Sequence, residues 1–293
     1  MTALPATPQV LALASALCSA VATLLIQRGL RGSTFYTGAW INIAVGALGL
    51  WLAVLLVVPR DAYDWRALPY FVFSGVVGTA AGRLFRVLGI ERVGAPVAAA
   101  INNLSPLIAT GCAIALLGER VTVALLAGTL VIVAGTVVLS LSGRAGGFRP
   151  RHLLYPLLGA TCFGVVQVAR KMGLSHAGPV FDAALNTTAA LLAATAFVVA
   201  TGHWRALGGD RGSWPYFIGG GAAENTSVLL AIVALGFGDV SVVAPLAGTA
   251  PLFVLLLTGL VPSGRQRVTG RIVVGVGLIV LGIALITGAG PPA

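Results

Sequence analysis

Ten apolar runs bounded by Gly, Pro and Arg fall at about residues 9–28, 34–57, 67–89, 94–117, 121–141, 153–174, 179–201, 213–235, 240–261 and 269–287. A helix that crosses the hydrocarbon core takes about 20 predominantly apolar residues, so each run is long enough to span a bilayer. Ten such helices occupy roughly 200 residues, which leaves short loops and no room for a separate domain in a chain of 293. Only 9% of the residues are charged, against about a quarter in soluble domains. The predicted fold is an all-α integral membrane bundle, and any function has to sit inside it or at its rims.

The net charge is +10, but the basic residues are scattered through many short interhelical segments and Lys171 is the single lysine. They read as topology determinants and headgroup contacts, and no basic tail or aromatic-interleaved patch points to nucleic acid. Cys18, Cys112 and Cys162 all lie within apolar runs, as small buried side chains do, and form neither a disulfide framework nor a metal pattern. His152, His176 and His203 are far apart at loops, so no metal site is expected. No Walker-type loop is present, and no cofactor is expected. Neither Lys nor Arg precedes the first run, which is too long for a signal-peptide core and is expected to remain as a span.

The chain repeats itself. Gly29-Leu30 falls on Gly173-Leu174, Cys18 on Cys162 and Asn42 on Asn186, each at an offset of 144 residues. Pro69-Tyr70-Phe71 falls on Pro215-Tyr216-Phe217, Pro106 on Pro251, and Arg120-Val121-Thr122 on Arg267-Val268-Thr269, at offsets of 145 to 147. Near-constant spacing across all five helix pairs defines two units, 1–143 and 152–293, joined by a linker at 144–151 that carries Gly146, Gly147 and Pro150. Five is odd, so the second unit enters the bilayer from the opposite side. Inverted repeats place a binding site at their interface near the midplane and give two conformations that open to either side. The inversion also makes loop charges cancel between halves. The remaining bias, from Arg144, Arg149, Arg151, Arg265, Arg267 and Arg271, read literally places both termini outside.

A charge at the bilayer centre costs about 2.5–3.5 kcal/mol on insertion scales, so an intramembrane ionisable group is a functional candidate. Glu224 lies near the centre of the eighth run, in Glu224-Asn225-Thr226-Ser227, and Arg83 and Arg86 lie late in the third run, its repeat partner. One reading has an Arg holding a substrate carboxylate while Glu224 receives an ammonium or a proton. The other has Glu224 and an Arg locking the bundle as an ion pair, with Arg86 reaching to the rim. Position favours Arg83 for a cavity. Asn102-Asn103-Leu104-Ser105-Pro106 and its counterpart Gly248-Thr249-Ala250-Pro251 place helix-breaking prolines, Pro106 and Pro251, in mid-span. There the freed carbonyls and the side chains of Asn102, Asn103 and Thr249 can line a cavity. Asn42, Asn186, Asn225 and Gln167 complete the candidate set, each with interhelical hydrogen bonding as the alternative, worth about 0.6 kcal/mol. Trp40, Trp51, Phe85 and Phe163 are candidate apolar walls or interfacial anchors.

Leu116-Leu117-Gly118-Glu119-Arg120-Val121-Thr122, with Leu126-Ala127-Gly128 and Ile132-Val133-Ala134-Gly135, resembles the end of a repeat unit in the drug/metabolite transporter superfamily, EamA type. The resemblance covers essentially the whole chain and implies ten helices in two inverted five-helix repeats. It also implies secondary transport of small organic solutes, commonly amino-acid or metabolite export, with both termini in the cytoplasm. That topology opposes the literal charge count and is preferred here, because cancellation makes the count fragile. Within the superfamily the chain resembles the aromatic amino-acid exporters, with which the carboxylate-and-amine pairing is compatible. The second copy has Gln266 where the first has Glu119, which points to capping or pairing at the rim. The expectation is a monomeric inner-membrane exporter of small solutes, amino acids including aromatic ones, working by alternating access within the lipid bilayer. A sugar or nucleotide-sugar carrier of the same fold is the alternative, and a membrane-embedded enzyme a more distant one.

Overall fold

The computed structural model describes residues 7–59, 64–93, 95–140, 149–176, 178–202, 211–259 and 270–288. Ten spans cross it: α1 (Thr7–Gly29), α2 (Tyr36–Val57), α3 (Trp65–Arg86), α4 (Val97–Leu117), α5 (Val123–Ser140), α6 (Pro150–Gly173), α7 (Pro179–Ala200), α8 (Arg211–Phe237), α9 (Val240–Thr258) and α10 (Gly270–Gly288). Exposed side chains such as Leu48, Leu55, Leu56 and Val123 stud the outside, a surface that suits hydrocarbon and not water. The protein is a multi-pass membrane bundle.

Glycine pairs set the packing, as expected where helices meet without a hydrophobic drive between them. A side chain at Gly128 would meet the Gly282 carbonyl at 2.9 Å, and one at Gly135 would meet the Gly275 carbonyl at 2.7 Å. As residue numbers rise along α5 they fall along α10, so the two helices are antiparallel. They are repeat partners, and their antiparallel crossing is the inversion seen directly. The same holds between α1 and α8, where Ser15 pairs with Ser227 and Gly220 faces Ile26, and between α3 and α6, where Gly78 faces Val166 and Gly82 faces Phe163.

The interface repeats in detail. Gly29 sits against the Phe217 ring, and its repeat equivalent Gly173 sits against Phe71, the equivalent of Phe217. Gly75 lies on the backbone of Asn186, and Gly221 on that of Asn42. Proline breaks α4 and α9 in the same way, because a proline offers no N–H and its ring clashes one turn back. Around Pro106, Leu104 donates to the Ile101 carbonyl at 3.0 Å and Leu107 to Leu104 at 3.0 Å; around Pro251, Thr249 donates to Leu246 at 3.1 Å and Leu252 to Thr249 at 2.9 Å. These are one set of bonds repeated 145 residues apart.

The copies are not identical. In α3 the stretch Ser74–Gly82 is wound as a wide π-helix, whereas its partner α8 is regular α-helix over Trp214–Phe237. Wide turns of this kind concentrate at functional sites, and this one ends immediately before Arg83.

Candidate functional site

Between the halves lies a cavity of about 750 Å³, within the range of small-molecule sites. Of the residues expected at a site, Arg83, Glu224, Asn102, Asn103, Gln167, Pro106 and Pro251 line it, and so does Phe163. Arg83 Nη2 donates to Glu224 Oε1 at 3.4 Å, with about a quarter of each side chain exposed, 24% and 25%. The pair therefore borders the cavity and crosses the interface between the halves: it is an ion pair, and it faces the open space. At 3.4 Å it is longer than a tight charge-assisted bond.

The polar groups are held in defined positions. Asn103 Nδ2 donates to Ser140 Oγ at 3.1 Å, and Asn102 Nδ2 to the Ala98 carbonyl at 2.9 Å. Asn102 Oδ1 is buried without a hydrogen-bond partner among the described residues. Arg170 Nε donates to Ser74 Oγ at 2.8 Å, and Ser74 Oγ in turn to Asn186 Oδ1 at 2.6 Å; Arg170 Nη1 donates to Gln167 Oε1 at 3.3 Å.

Asn42, Asn186, Asn225 and Thr249, expected beside a solute, are not on the cavity wall. Asn186 is buried behind Ser74 and reaches the cavity only through Arg170. Asn225 lies over Gly46 and donates to the carbonyls of Asn42 and Gly221 at 3.1 and 2.7 Å. Asn42 is 1% exposed, and its amide has no partner among the described residues. Thr249 is fully buried and donates to the Leu246 carbonyl at 2.7 Å, closing the gap left at the break before Pro251. For the three asparagines the cause is the close approach of helices at Gly221, Gly75 and Gly46, which takes them into the packing. Trp40 and Trp51 are spent on α7, donating to Thr195 at 3.0 Å and Thr188 at 2.8 Å. Phe85 does not line the cavity.

Sequence reasoning missed three features. Arg86, expected at the rim, lines the cavity beside Arg83. Arg170 and its neighbour Lys171 at the end of α6 diverge: Lys171 Nζ caps the end of α8 by donating to the Leu235 and Gly238 carbonyls, both at 2.7 Å, while Arg170 turns inward. Its spacing of one turn from Gln167 was the available signal. The third feature is a polar stripe on α1, Ser15, Ser19, Thr23 and Gln27, which all line the cavity at four-residue intervals that keep them on one face. Asp182 in α7 was also passed over; it is fully buried away from the cavity, with no hydrogen-bond partner for its carboxylate among the described residues. The Gln266 comparison lies outside the described residues. Glu119 does cap: its carboxylate accepts the backbone N–H groups of Val240 at 2.8 Å and Ser241 at 2.9 Å, at the start of α9.

Comparison with known sequences matches the pattern described as the EamA-like transporter family twice, over residues 7–141 and 151–288. A comparison with curated proteins finds no match. Among solved structures, a crystal structure 22% identical in sequence superposes with a TM-score of 0.81 over 97% of this chain and 98% of its own, a likeness of fold.

Proposed function

The chain belongs to the EamA-like transporter family, and we propose that it moves small organic solutes by alternating access around the central cavity, with amino acids as the solute class and export as the direction. The observation that carries this is the meeting of Arg83 from the first half and Glu224 from the second at one cavity between inverted repeats. Cationic and anionic groups side by side suit a solute that carries both charges. The carboxylate goes to the arginines and the ammonium to Glu224. Both proline breaks lie on the cavity wall, and a proline frees a carbonyl one turn back that can accept from an ammonium.

The geometry favours this over a sugar carrier of the same fold. Sugar rings call for several aromatic platforms, whereas Phe163 is the one aromatic among the described lining residues. The same sparseness weighs against aromatic amino acids within the class. Glu224, partly exposed to the cavity, is also the group placed to carry a proton if transport is coupled.

The test is uptake of labelled amino acids into liposomes carrying the purified protein, with and without an imposed proton gradient. Saturable uptake supports the reading, and dependence on the gradient shows that transport is coupled to protons. Absence of uptake for every amino acid, together with saturable uptake of a neutral sugar, overturns the amino-acid assignment.

A further inference from the structure

The cavity is not balanced in charge. Its described lining holds three guanidinium groups, Arg83, Arg86 and Arg170, and one carboxylate, Glu224. Glu224 offsets Arg83. Among the described residues no carboxylate lies within 4.0 Å of Arg86 or Arg170. Three guanidinium groups against one carboxylate leave an excess of two positive charges inside a membrane bundle, costly unless water or an anion meets them, and guanidinium groups present planar forks that match carboxylate and phosphate oxygens. Arg170 is moreover fixed before any solute arrives. Its Nε and Nη1 are held by Ser74 and Gln167, with Asn186 behind Ser74, so little order is lost when its remaining donors engage a ligand.

We infer that the cavity selects solutes bearing two negative charges, on two carboxylates or on one phosphate, which engage Arg86 of α3 and Arg170 of α6. This rests on the reading of the chain as a small-solute transporter and specifies the charge of the solute. An acidic amino acid, a dicarboxylate and a phosphate monoester share the required chemistry. The acidic amino acid also places an ammonium at Glu224, and the α1 stripe of Ser15, Ser19, Thr23 and Gln27 suits a strongly hydrated solute rather than an apolar side chain.

The experiment uses liposomes carrying the purified protein, with labelled aspartate, succinate, glycerol phosphate, phenylalanine and lysine as separate arms. Thermal stabilisation of the detergent-solubilised protein by the same compounds reports binding without transport. At least one doubly anionic compound is expected to be taken up and to stabilise at concentrations about tenfold lower than phenylalanine, a difference of about 1.4 kcal/mol. Which of the three anionic arms responds separates carboxylate from phosphate chemistry. Arg86→Gln and Arg170→Gln are each expected to abolish that preference. Arg170→Lys, which keeps the charge and loses the fork, should fall between, and is the informative variant if the glutamine forms do not fold. Uptake of phenylalanine that none of the three doubly anionic compounds inhibits overturns this inference and leaves the transporter intact. Absence of both uptake and stabilisation for every arm overturns the transport reading and this inference together.

Discussion

Arg83 and Glu224, one from each inverted half, stand 3.4 Å apart across the interface, each about a quarter open to the cavity. The contact is a property of the conformation as well as of the site. If the halves rock against each other to open the opposite side, a link between α3 and α8 has to lengthen or be exchanged for contacts with a solute. A solute that separates the pair removes one of the interactions holding the halves in this arrangement, which ties binding to the conformational change.

Glu224→Gln is the direct test of that link. It leaves Arg83 without its anion and adds one more uncompensated positive charge to the cavity. Solutes carrying an ammonium are expected to lose about tenfold in apparent affinity, the equivalent of one charge-assisted contact, and any dependence of transport on pH should vanish. Uptake measured against pH in liposomes, for wild type and variant, checks both. Transport that keeps its affinity and its pH profile would show that the carboxylate neither binds nor couples. Combining the change with Arg83→Gln should recover part of any stability lost by either alone, with a coupling energy of about 0.5–3 kcal/mol in a double-mutant cycle.

The internal symmetry makes a second, structural prediction. Phe217 occupies the space beside Gly29 that a Cβ would enter at 2.6 Å, and Phe71 does the same at Gly173. Gly29→Leu and Gly173→Leu should each cost about 1–3 kcal/mol by overpacking, read as a lower thermal midpoint in detergent. Phe71→Ala should rescue Gly173→Leu and leave Gly29→Leu unrescued. Rescue across the pairs would mean that the two contacts are not the independent equivalents the repeat implies.

Much of this was legible from the residues. The ten spans follow from run length alone, and the inversion from an odd number of helices per repeat; the antiparallel meeting of Gly128 and Gly135 with Gly282 and Gly275 is its physical expression. The proline breaks were legible too, because proline acts locally on the backbone it occupies. The fate of each polar side chain was not. Asn42 and Asn102 are both asparagines in apolar helices and both meet a glycine of a neighbouring helix, Gly221 at the Asn42 backbone and Gly159 at the Asn102 side chain, yet Asn102 borders the cavity and Asn42 does not. That distinction depends on which face of a helix meets which neighbour. Arg170 shows the same limit: it lies near the end of a span in sequence, while its hydrogen bonds to Ser74 and Gln167 belong to the interior.

Glu119 joins the halves at the rim, its carboxylate spanning the first two backbone donors of α9. Helix N-termini favour such an anion through unpaired N–H groups and the helix dipole. Glu119→Ala should cost about 1–2 kcal/mol, the range for loss of an N-terminal cap. Glu119→Gln, which keeps an acceptor but not the charge, should cost less. Thermal unfolding of the three proteins side by side decides it, and equal midpoints for all three would remove the capping role.

Asp239 precedes α9 beside that carboxylate and carries a pH dependence of its own. Burial foremost, and then the charge of Glu119, push its carboxyl above the usual carboxylate range, with Lys171 acting in the opposite direction. The folded protein therefore holds this proton more tightly than the unfolded chain does. Folding stability from this group should fall as pH rises from the ordinary carboxylate value through the raised one. Asp239 makes no side-chain cap bond to the helix it precedes, since Glu119 occupies those donors, so Asp239→Asn gives up no cap. The substitution is expected to raise the thermal midpoint at neutral pH, and the gain should disappear in acid, where both folded and unfolded wild type are protonated. Glu119→Gln should shrink the gain by removing one of the two causes. A gain that persists unchanged into acid would mean that packing, and not the carboxylate charge, sets the cost at this position.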